Sequence, residues 1–189
     1  MLVLDKKSFS ENASIDENEF IKFSLSPDNT LVPDLYNELP GRSIWAPANK
    51  ALIKIIHERE DVKEHFGVSH LFTNDLVFLT QKILRKKTLN NISLAKKAGY
   101  LAIGLDKIKT QLIENKHCLI VVAEGAKSLK NYSFFSSKTI SCFENILYQR
   151  DLEYSTGNNN VKYVAIFSKN FKKTIQVDLN KLKGFMGTD

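Results

Sequence analysis

The sequence of 189 residues predicts an α+β unit at its N-terminal end, followed by an α/β three-layer (α-β-α) sandwich. Three observations lead to this prediction. Short alternating segments, separated by Pro, Gly and Asn turns, fill residues 20–72. After Gly99, continuous apolar segments alternate with helical periodicity, as in a sheet that is covered on both faces. The charge balance also reverses near residue 80, which separates an acidic part from a basic part.

The composition excludes several classes of protein. With 43% hydrophobic and 25% charged residues, the chain can form one large or two small cores, so it is neither fibrous nor wholly disordered. The longest apolar run, Cys118 to Ala123, has six residues, whereas a membrane helix needs about 20. We therefore expect a cytoplasmic protein without signal peptide or membrane anchor. Cys118 and Cys142 are too few for a disulfide framework, and we expect both to be buried free thiols.

In the N-terminal part, residues 1–19 show little hydrophobic periodicity and are predicted to be a mobile arm or a weak first strand. Alternation from Phe20 to Leu25 predicts a strand, which a turn at 26–30 connects to a second strand at Leu31 and Val32. A strand is predicted at 43–46. A helix is predicted from Pro47 onward, with Ala51, Leu52, Ile55 and Ile56 at helical spacing.

Residues 73–98 are predicted to connect the two parts. An N-cap at 73–75 and a C-cap at Gly99 enclose an apolar stripe, which indicates either one long helix or two short ones broken near Asn90. Beyond Gly99, strands and helices alternate. The predicted strands are 100–103, 118–123, 139–143 and 161–167, and the predicted helices are 106–114, 144–153 and 171–182.

The net charge of +6 is divided unevenly. Residues 1–79 hold 8 Lys and Arg against 13 Asp and Glu, whereas residues 80–189 hold 19 against 8. A surface this basic attracts polyanions, and nucleic acid is the commonest soluble one. The alternative is that the lysines only solvate helix faces.

Signals of catalysis or metal binding are weak. The four histidines have no metal-ligand spacing, and the chain has no glycine-rich phosphate loop or nucleophile elbow. We therefore expect a protein that is not an enzyme and that uses no cofactor and no metal.

One segment carries a resemblance to a known family. Residues 31–45 read Leu-Val-Pro-Asp-Leu-Tyr-Asn-Glu-Leu-Pro-Gly-Arg-Ser-Ile-Trp. They resemble the core signature of the YlxR family of small bacterial nucleic-acid-binding proteins, over about residues 20–72. The resemblance implies that Arg42 lines a basic cleft, with Lys22 and Lys50 nearby. Ser43 replaces the family's glycine, and we expect Trp45 to serve either as a core residue or as a base-stacking platform.

A second segment resembles another family. Residues 94–104, Leu-Ala-Lys-Lys-Ala-Gly-Tyr-Leu-Ala-Ile-Gly, precede the apolar run at 119–123 and Gly157. They are similar to the kink-turn-binding ribosomal proteins of the L-seven-Ae type, over about residues 80–189. That resemblance implies an α-β-α sandwich whose helix after Gly104 points its N-terminus at sheared G·A pairs.

The recognition residues of that family are changed in this sequence. Its asparagine falls on Asp106, its glutamate on Lys107 and its lysine on Thr110. These changes favour contacts to phosphate over contacts to base edges.

We therefore predict a bacterial protein that binds structured RNA, such as ribosomal RNA, in translation, ribosome function or RNA processing. Ribosomal, transcription or translation factors are further candidate partners. The candidate RNA-binding residues are Arg42, Lys22, Lys50, Lys82, Arg85, Lys86, Lys87, Lys96, Lys97, Gly104, Asp106, Lys107 and Lys109. Two alternatives are a DNA-associated transcriptional regulator and an adaptor whose acidic N-terminal part docks on a basic factor.

Overall fold

The computed structural model describes residues 2–3, 18–114, 117–129 and 140–186. The chain forms two compact units, one of Met1–Leu84 with Asn180–Asp189 and one of Arg85–Leu179. Both are mixed α/β, each with one four-stranded sheet in the described part of the chain. Two helices, α3 (Leu76–Lys97) and α6 (Lys169–Lys183), have residues in both units.

The sheet of the first unit has the strand order β1-β4-β2-β3. Its strands are β1 (Leu2–Val3), β2 (Phe20–Leu25), β3 (Leu31–Pro33) and β4 (Ser43–Pro47). β1 pairs in parallel with β4, and the other pairs are antiparallel. The predicted strand at 20–25 and its hairpin with residues 31–32 are confirmed. Of the predicted arm or weak strand at 1–19, residues 2–3 form a strand, and residues 4–17 lie outside the described part.

The prediction that Pro47 begins a helix is wrong. Pro47 ends β4 opposite Phe20, and the helix α1 (Lys50–Ile55) begins after Asn49, whose Oδ1 accepts a 3.0 Å hydrogen bond from the amide of Leu52. An asparagine at the N-cap satisfies one of the free amides of the first turn, so Asn49 is the better start. A 3₁₀ turn at Ile56–Glu58 and the helix α2 (Glu60–Phe66) follow.

The apolar stripe predicted for this helical region is only partly correct. Ile56 and Ile53 are fully buried, whereas Ile55 remains 47% exposed. The helix ends at Ile55 and the chain changes to a 3₁₀ turn, so the α-helical spacing does not continue through the stripe.

The connecting region forms one helix, which decides between the two alternatives that the sequence leaves open. α3 runs from Leu76 to Lys97 without a break at Asn90. Asp75 Oδ1 accepts a 2.9 Å hydrogen bond from the amide of Phe78, as an N-cap does. Gly99 adopts a φ of +77°, and so supplies the left-handed residue that ends the helix.

The sheet of the second unit has the strand order β5-β8-β6-β7. Its strands are β5 (Leu101–Ile103), β6 (Cys118–Val122), β7 (Ile140–Glu144) and β8 (Tyr163–Ile166), and α4 (Leu105–Glu114) and α5 (Gln149–Thr156) connect them together with loops. β8 is antiparallel to β5 and β6, and β7 is parallel to β6. All five residues of β6 are buried, as predicted for a strand covered on both faces.

Two predictions for the second unit are wrong in detail. Residues 144–153 were predicted to be a helix, but Glu144 pairs with Val122 in β7, Asn145 has a φ of +61°, and α5 begins only at Gln149. A positive φ cannot continue a right-handed helix, so Asn145 separates the strand from α5. Cys142, predicted to be buried, is only half-buried, whereas Cys118 is fully buried as predicted.

No helix in the described ranges is long and apolar enough to cross a membrane.

Candidate nucleic-acid interface

The loops that follow β5, β6 and β7 lie at one edge of the second sheet. The amide of Gly104, after β5, donates a 2.9 Å hydrogen bond to the carbonyl of Tyr163 at the start of β8. The amide of Ala123, after β6, donates 2.9 Å to the carbonyl of Lys162. The amide of Asn145, after β7, donates 3.3 Å to the carbonyl of Val122. In open α/β sheets ligands bind beside the carboxyl ends of the strands, so this edge is the candidate site.

Exposed lysines surround the start of α4 at this edge. Gly104 leads into the helix with a φ of +86°, a conformation that glycine adopts without strain. Asp106, Lys107 and Lys109 are all exposed on the first turns of α4. Within the described part of the chain, neither Lys107 nor Lys109 has an ion pair or side-chain hydrogen bond. Their charges are therefore open to solvent and to an anionic ligand.

The edge also carries negative charge. Asp106 shares the first turn of α4 with Lys107, and Glu124, after β6, is exposed. Glu144 is occupied, because its Oε1 accepts hydrogen bonds from the amide of Leu129 (2.8 Å) and the hydroxyl of Ser128 (3.0 Å). Because exposed carboxylates repel phosphate, a phosphate group can bind at this edge only next to the lysines.

The structure does not bring Lys96 and Lys97 to Gly104. Both lysines end α3 before β5 begins, whereas Gly104 follows the end of β5, so the length of the strand separates them. Lys96 donates hydrogen bonds to the carbonyl of Thr156 and to Oδ1 of Asn158, the latter at 2.7 Å. Lys97 is exposed, and nothing described in the structure pairs with it.

Four of the predicted RNA-binding residues form a basic ridge on α3 and are of two kinds: Lys82, Arg85, Lys86 and Lys87. Arg85 Nη1 lies 2.6 Å from Oδ2 of Asp151, and Lys87 Nζ lies 3.7 Å from Oδ1 of the buried Asp178. Asn91 donates a 3.2 Å hydrogen bond to the same Asp178. Arg85 and Lys87 thus join α3 to α5 and α6 within the second unit, and their charges are largely compensated.

The other two ridge residues face solvent. Lys86 is exposed in the second unit. Lys82, which belongs to the first unit, is exposed as well, and its Nζ lies 5.9 Å from the ring centroid of Phe78, a cation–π contact one helical turn away.

Two residues outside the predicted set lie next to Arg85. The guanidinium carbons of Arg85 and Arg150 each lie 4.9 Å from the ring centroid of Tyr148. The amide of Tyr148 donates a 3.0 Å hydrogen bond to Oδ2 of Asp151, the carboxylate that also binds Arg85. Because Arg85 is far from Tyr148 and Arg150 in the sequence, no local motif could have indicated that these residues lie close together. The sequence around Arg150 gives no sign of a contact with Tyr148 or of its proximity to Arg85.

In the first unit, Arg42 follows the turn at Gly41, which has a φ of +91°. Arg42 is exposed, and its Nη1 donates a 3.0 Å hydrogen bond to the carbonyl of His65. His65 Nε2 lies 3.1 Å from the carbonyl of Ser43. Burial lowers the pKa of His65 below 6.5, and the charge of Arg42 acts in the same direction.

Lys22 is part of a buried pair. Its Nζ lies 2.6 Å from Oδ2 of Asp34, whose side chain is 3% exposed. Asp34 also accepts hydrogen bonds from the amides of Glu38 (3.0 Å) and Leu39 (3.2 Å). Burial alone would raise the pKa of Asp34, but Lys22 and the two amides outweigh burial, and the pKa lies below 3.8. Lys22 thus holds the loop that precedes Arg42.

The remaining predicted residues of the first unit do not complete a cleft with Arg42. Lys50 is half-buried at the start of α1, and its amide donates a 3.1 Å hydrogen bond to the carbonyl of Gly184. Trp45 is half-buried in β4 opposite Lys22, so it is neither a core residue nor a fully open platform.

The described residues form neither a metal-binding cluster nor a reactive thiol at Cys118. Among the described residues no three His, Cys, Asp or Glu side chains form a cluster that could hold a metal. Burial raises the pKa of Cys118 to about 11, which keeps this thiol protonated and unreactive. No family model matches the chain, and a search of curated proteins finds no match.

Proposed function

We propose that this protein binds structured RNA through the basic surface of its second unit, in translation, ribosome function or RNA processing. The observation that carries the proposal is the charge of the two units. Residues 85–179 hold 16 Lys and Arg against 7 Asp and Glu, a net charge of +9. The first unit holds 11 against 14, a net charge of −3. A compact unit with this excess attracts a polyanion.

The distribution of contacts supports the proposal further. Among the described carboxylates of the second unit, Asp151 pairs with Arg85 and Asp178 lies near Lys87, and none forms an ion pair with the exposed lysines named below. Seven exposed lysines of this unit have no ion pair or side-chain hydrogen bond to any described residue. They are Lys86, Lys97, Lys107, Lys109, Lys162, Lys169 and Lys173.

The strongest candidates for RNA contact are Lys107 and Lys109, because they lie on α4 beside the carboxyl edge of the sheet. Lysine binds phosphate as a point charge and reads no base edge by itself. Asp106 stands where the kink-turn-binding family has its asparagine, and an acidic side chain repels phosphate. We therefore assign phosphate contacts to this edge and no strict kink-turn specificity.

The architecture is compatible with the resemblances. A mixed sheet with helices between its strands agrees with an L-seven-Ae-type sandwich for the second unit, which we propose as its family. For the first unit we propose a YlxR-like domain in which Arg42 is the exposed basic group of the Pro-Gly turn. Lys22, tied to Asp34, has a structural role there.

The proposal is tested by replacing Lys107 and Lys109 together with Gln and measuring RNA affinity over a range of salt concentrations. Each lost phosphate contact should reduce the log-log slope of affinity against salt by roughly 0.7 to 0.9. The matched control is Lys54→Gln together with Lys63→Gln in the first unit, which removes the same charge and should leave the slope unchanged. Equal slopes for both double variants would contradict the proposal.

A further inference from the structure

The outer face of α5 presents an arginine and a tyrosine one helical turn apart. Arg150 and Tyr154 are both exposed, and at a spacing of four residues their side chains are neighbours on the helix surface. Tyr154 is 83% exposed, so its ring contributes almost nothing to the core. The ring is therefore available to stack on a ligand.

The carboxylates of α5 are both occupied. Asp151 accepts hydrogen bonds from Arg85 (2.6 Å) and from the amide of Tyr148 (3.0 Å). Glu153 Oε1 accepts from Gln149 Nε2 and from the amide of Asn160, both at 2.8 Å. The negative charges beside Arg150 are therefore satisfied by other donors.

Arg150 itself is oriented but uncompensated. Its guanidinium lies over the ring of Tyr148, at 4.9 Å from the centroid, and no described carboxylate pairs with it. Stacking on an aromatic ring restricts a guanidinium without using its hydrogen-bond donors. The planar donor group is thus held in place and open to a phosphate, which it can bind through two hydrogen bonds.

We infer that this face of α5 is a subsite for one unpaired nucleotide of RNA, in which Arg150 binds the phosphate and Tyr154 stacks on the base. The inference rests on the proposed function. It adds recognition of an unpaired base, which the lysines do not provide because they contact only phosphate. An aromatic ring can stack on a base only when the base has left the helix, since bases of a duplex are already stacked on each other. The subsite therefore selects looped or single-stranded RNA.

The test compares two RNAs with the full chain, a hairpin with an unpaired loop that contains 2-aminopurine and a blunt duplex with the same number of phosphates. Tyr154→Ala should lower affinity for the hairpin about tenfold, since stacking accounts for ~1–3 kcal/mol per base. It should leave duplex affinity unchanged and abolish the quenching of 2-aminopurine on binding. Tyr154→Phe should keep both the affinity and the quenching, because it keeps the ring.

Matched controls separate the subsite from general effects. Tyr36→Ala removes another exposed tyrosine, from the first unit, and should change neither RNA. Arg150→Gln should weaken hairpin binding more than Lys173→Gln, although both remove one positive charge from an exposed residue of the second unit.

The outcomes distinguish this inference from the proposed function. If the unaltered chain binds neither RNA, the proposed function fails. If it binds the hairpin but Tyr154→Ala binds as tightly and still quenches the probe, the nucleotide subsite is overturned and the proposed function stands. An equal loss for hairpin and duplex in Tyr154→Ala would also overturn the subsite, because stacking on an unpaired base would not explain it.

Discussion

Arg85 donates a 2.6 Å hydrogen bond to Asp151, so an arginine predicted to contact RNA instead joins two helices of the second unit. The carboxylate of Asp151 also accepts a hydrogen bond from the amide of Tyr148. Lys86, which follows Arg85 on α3, is exposed to solvent. Two adjacent basic residues thus have different roles, which substitution can separate.

Arg85→Gln should lower the free energy of unfolding by about 1 kcal/mol, because it removes an ion pair and a cation–π contact that are both partly shielded from water. Lys86→Gln should change the free energy of unfolding by less than about 0.5 kcal/mol, as expected for an exposed residue that pairs with no described residue. Urea unfolding measures both. If Arg85→Gln left stability unchanged and weakened RNA binding more than Lys86→Gln, Arg85 would be an RNA contact.

Asp34 should make the first unit sensitive to acid. Its pKa in the folded protein lies below the ordinary value of 3.8, so its stabilising effect is complete above that value and is lost as the pH falls through the lowered pKa. Asp34→Asn should therefore be less stable than the unaltered chain at neutral pH, and the difference should shrink below about pH 4. The measurement is urea unfolding of both proteins over this pH range. A difference that does not depend on pH would contradict the assigned role of the carboxylate.

The two cysteines should react at different rates. With a pKa of about 11, Cys118 has roughly one thousandth of its thiol ionised at pH 8, and it is buried as well. A thiol reagent at that pH should therefore modify the half-buried Cys142 first and reach Cys118 only on unfolding. Cys142→Ser should remove the fast phase in the native protein. Rapid native labelling that persists in this variant would show that β6 opens readily.

Arg42→Gln should raise the pKa of His65. Burial is the larger cause of its lowered pKa and would remain, so the value should stay below 6.5. A nuclear magnetic resonance titration of the His65 ring measures the change. The control is Lys54→Gln, which removes an exposed charge elsewhere in the first unit. An equal shift in both variants would mean that the effect is general and that the Arg42 contact with His65 is weak in solution.

The elements of the fold follow from local patterns, which the sequence shows directly. The strand at Phe20, the buried strand after Cys118 and the helix end at Gly99 all depend on hydrophobic periodicity or on glycine conformation. The errors at Pro47 and at 144–153 have the same origin, since strand pairing overrode a helix signal. Pro47 pairs with Phe20, and Glu144 pairs with Val122.

The roles of individual basic residues could not be predicted in this way. Lys87 lies near Asp178 in the fold, although 90 residues of chain lie between them. The partner of Lys22, Asp34, is on the next segment and shows no signal in the sequence. Only tertiary contacts distinguish a lysine that is compensated from one that is free, so charge counts locate the basic unit and do not select its contact residues.

The central claim, that the second unit binds RNA, is tested most directly by titrating the full chain into three labelled ligands of equal length at low and moderate salt. The ligands are a kink-turn RNA, a plain RNA duplex and a DNA duplex. We predict that the kink-turn RNA, which offers unpaired nucleotides to Arg150 and Tyr154, binds more tightly than either duplex. This preference should persist at moderate salt, because salt weakens the phosphate contacts of the lysines but does not screen base stacking. Equal binding of RNA and DNA that disappears with salt, or no binding, would contradict it.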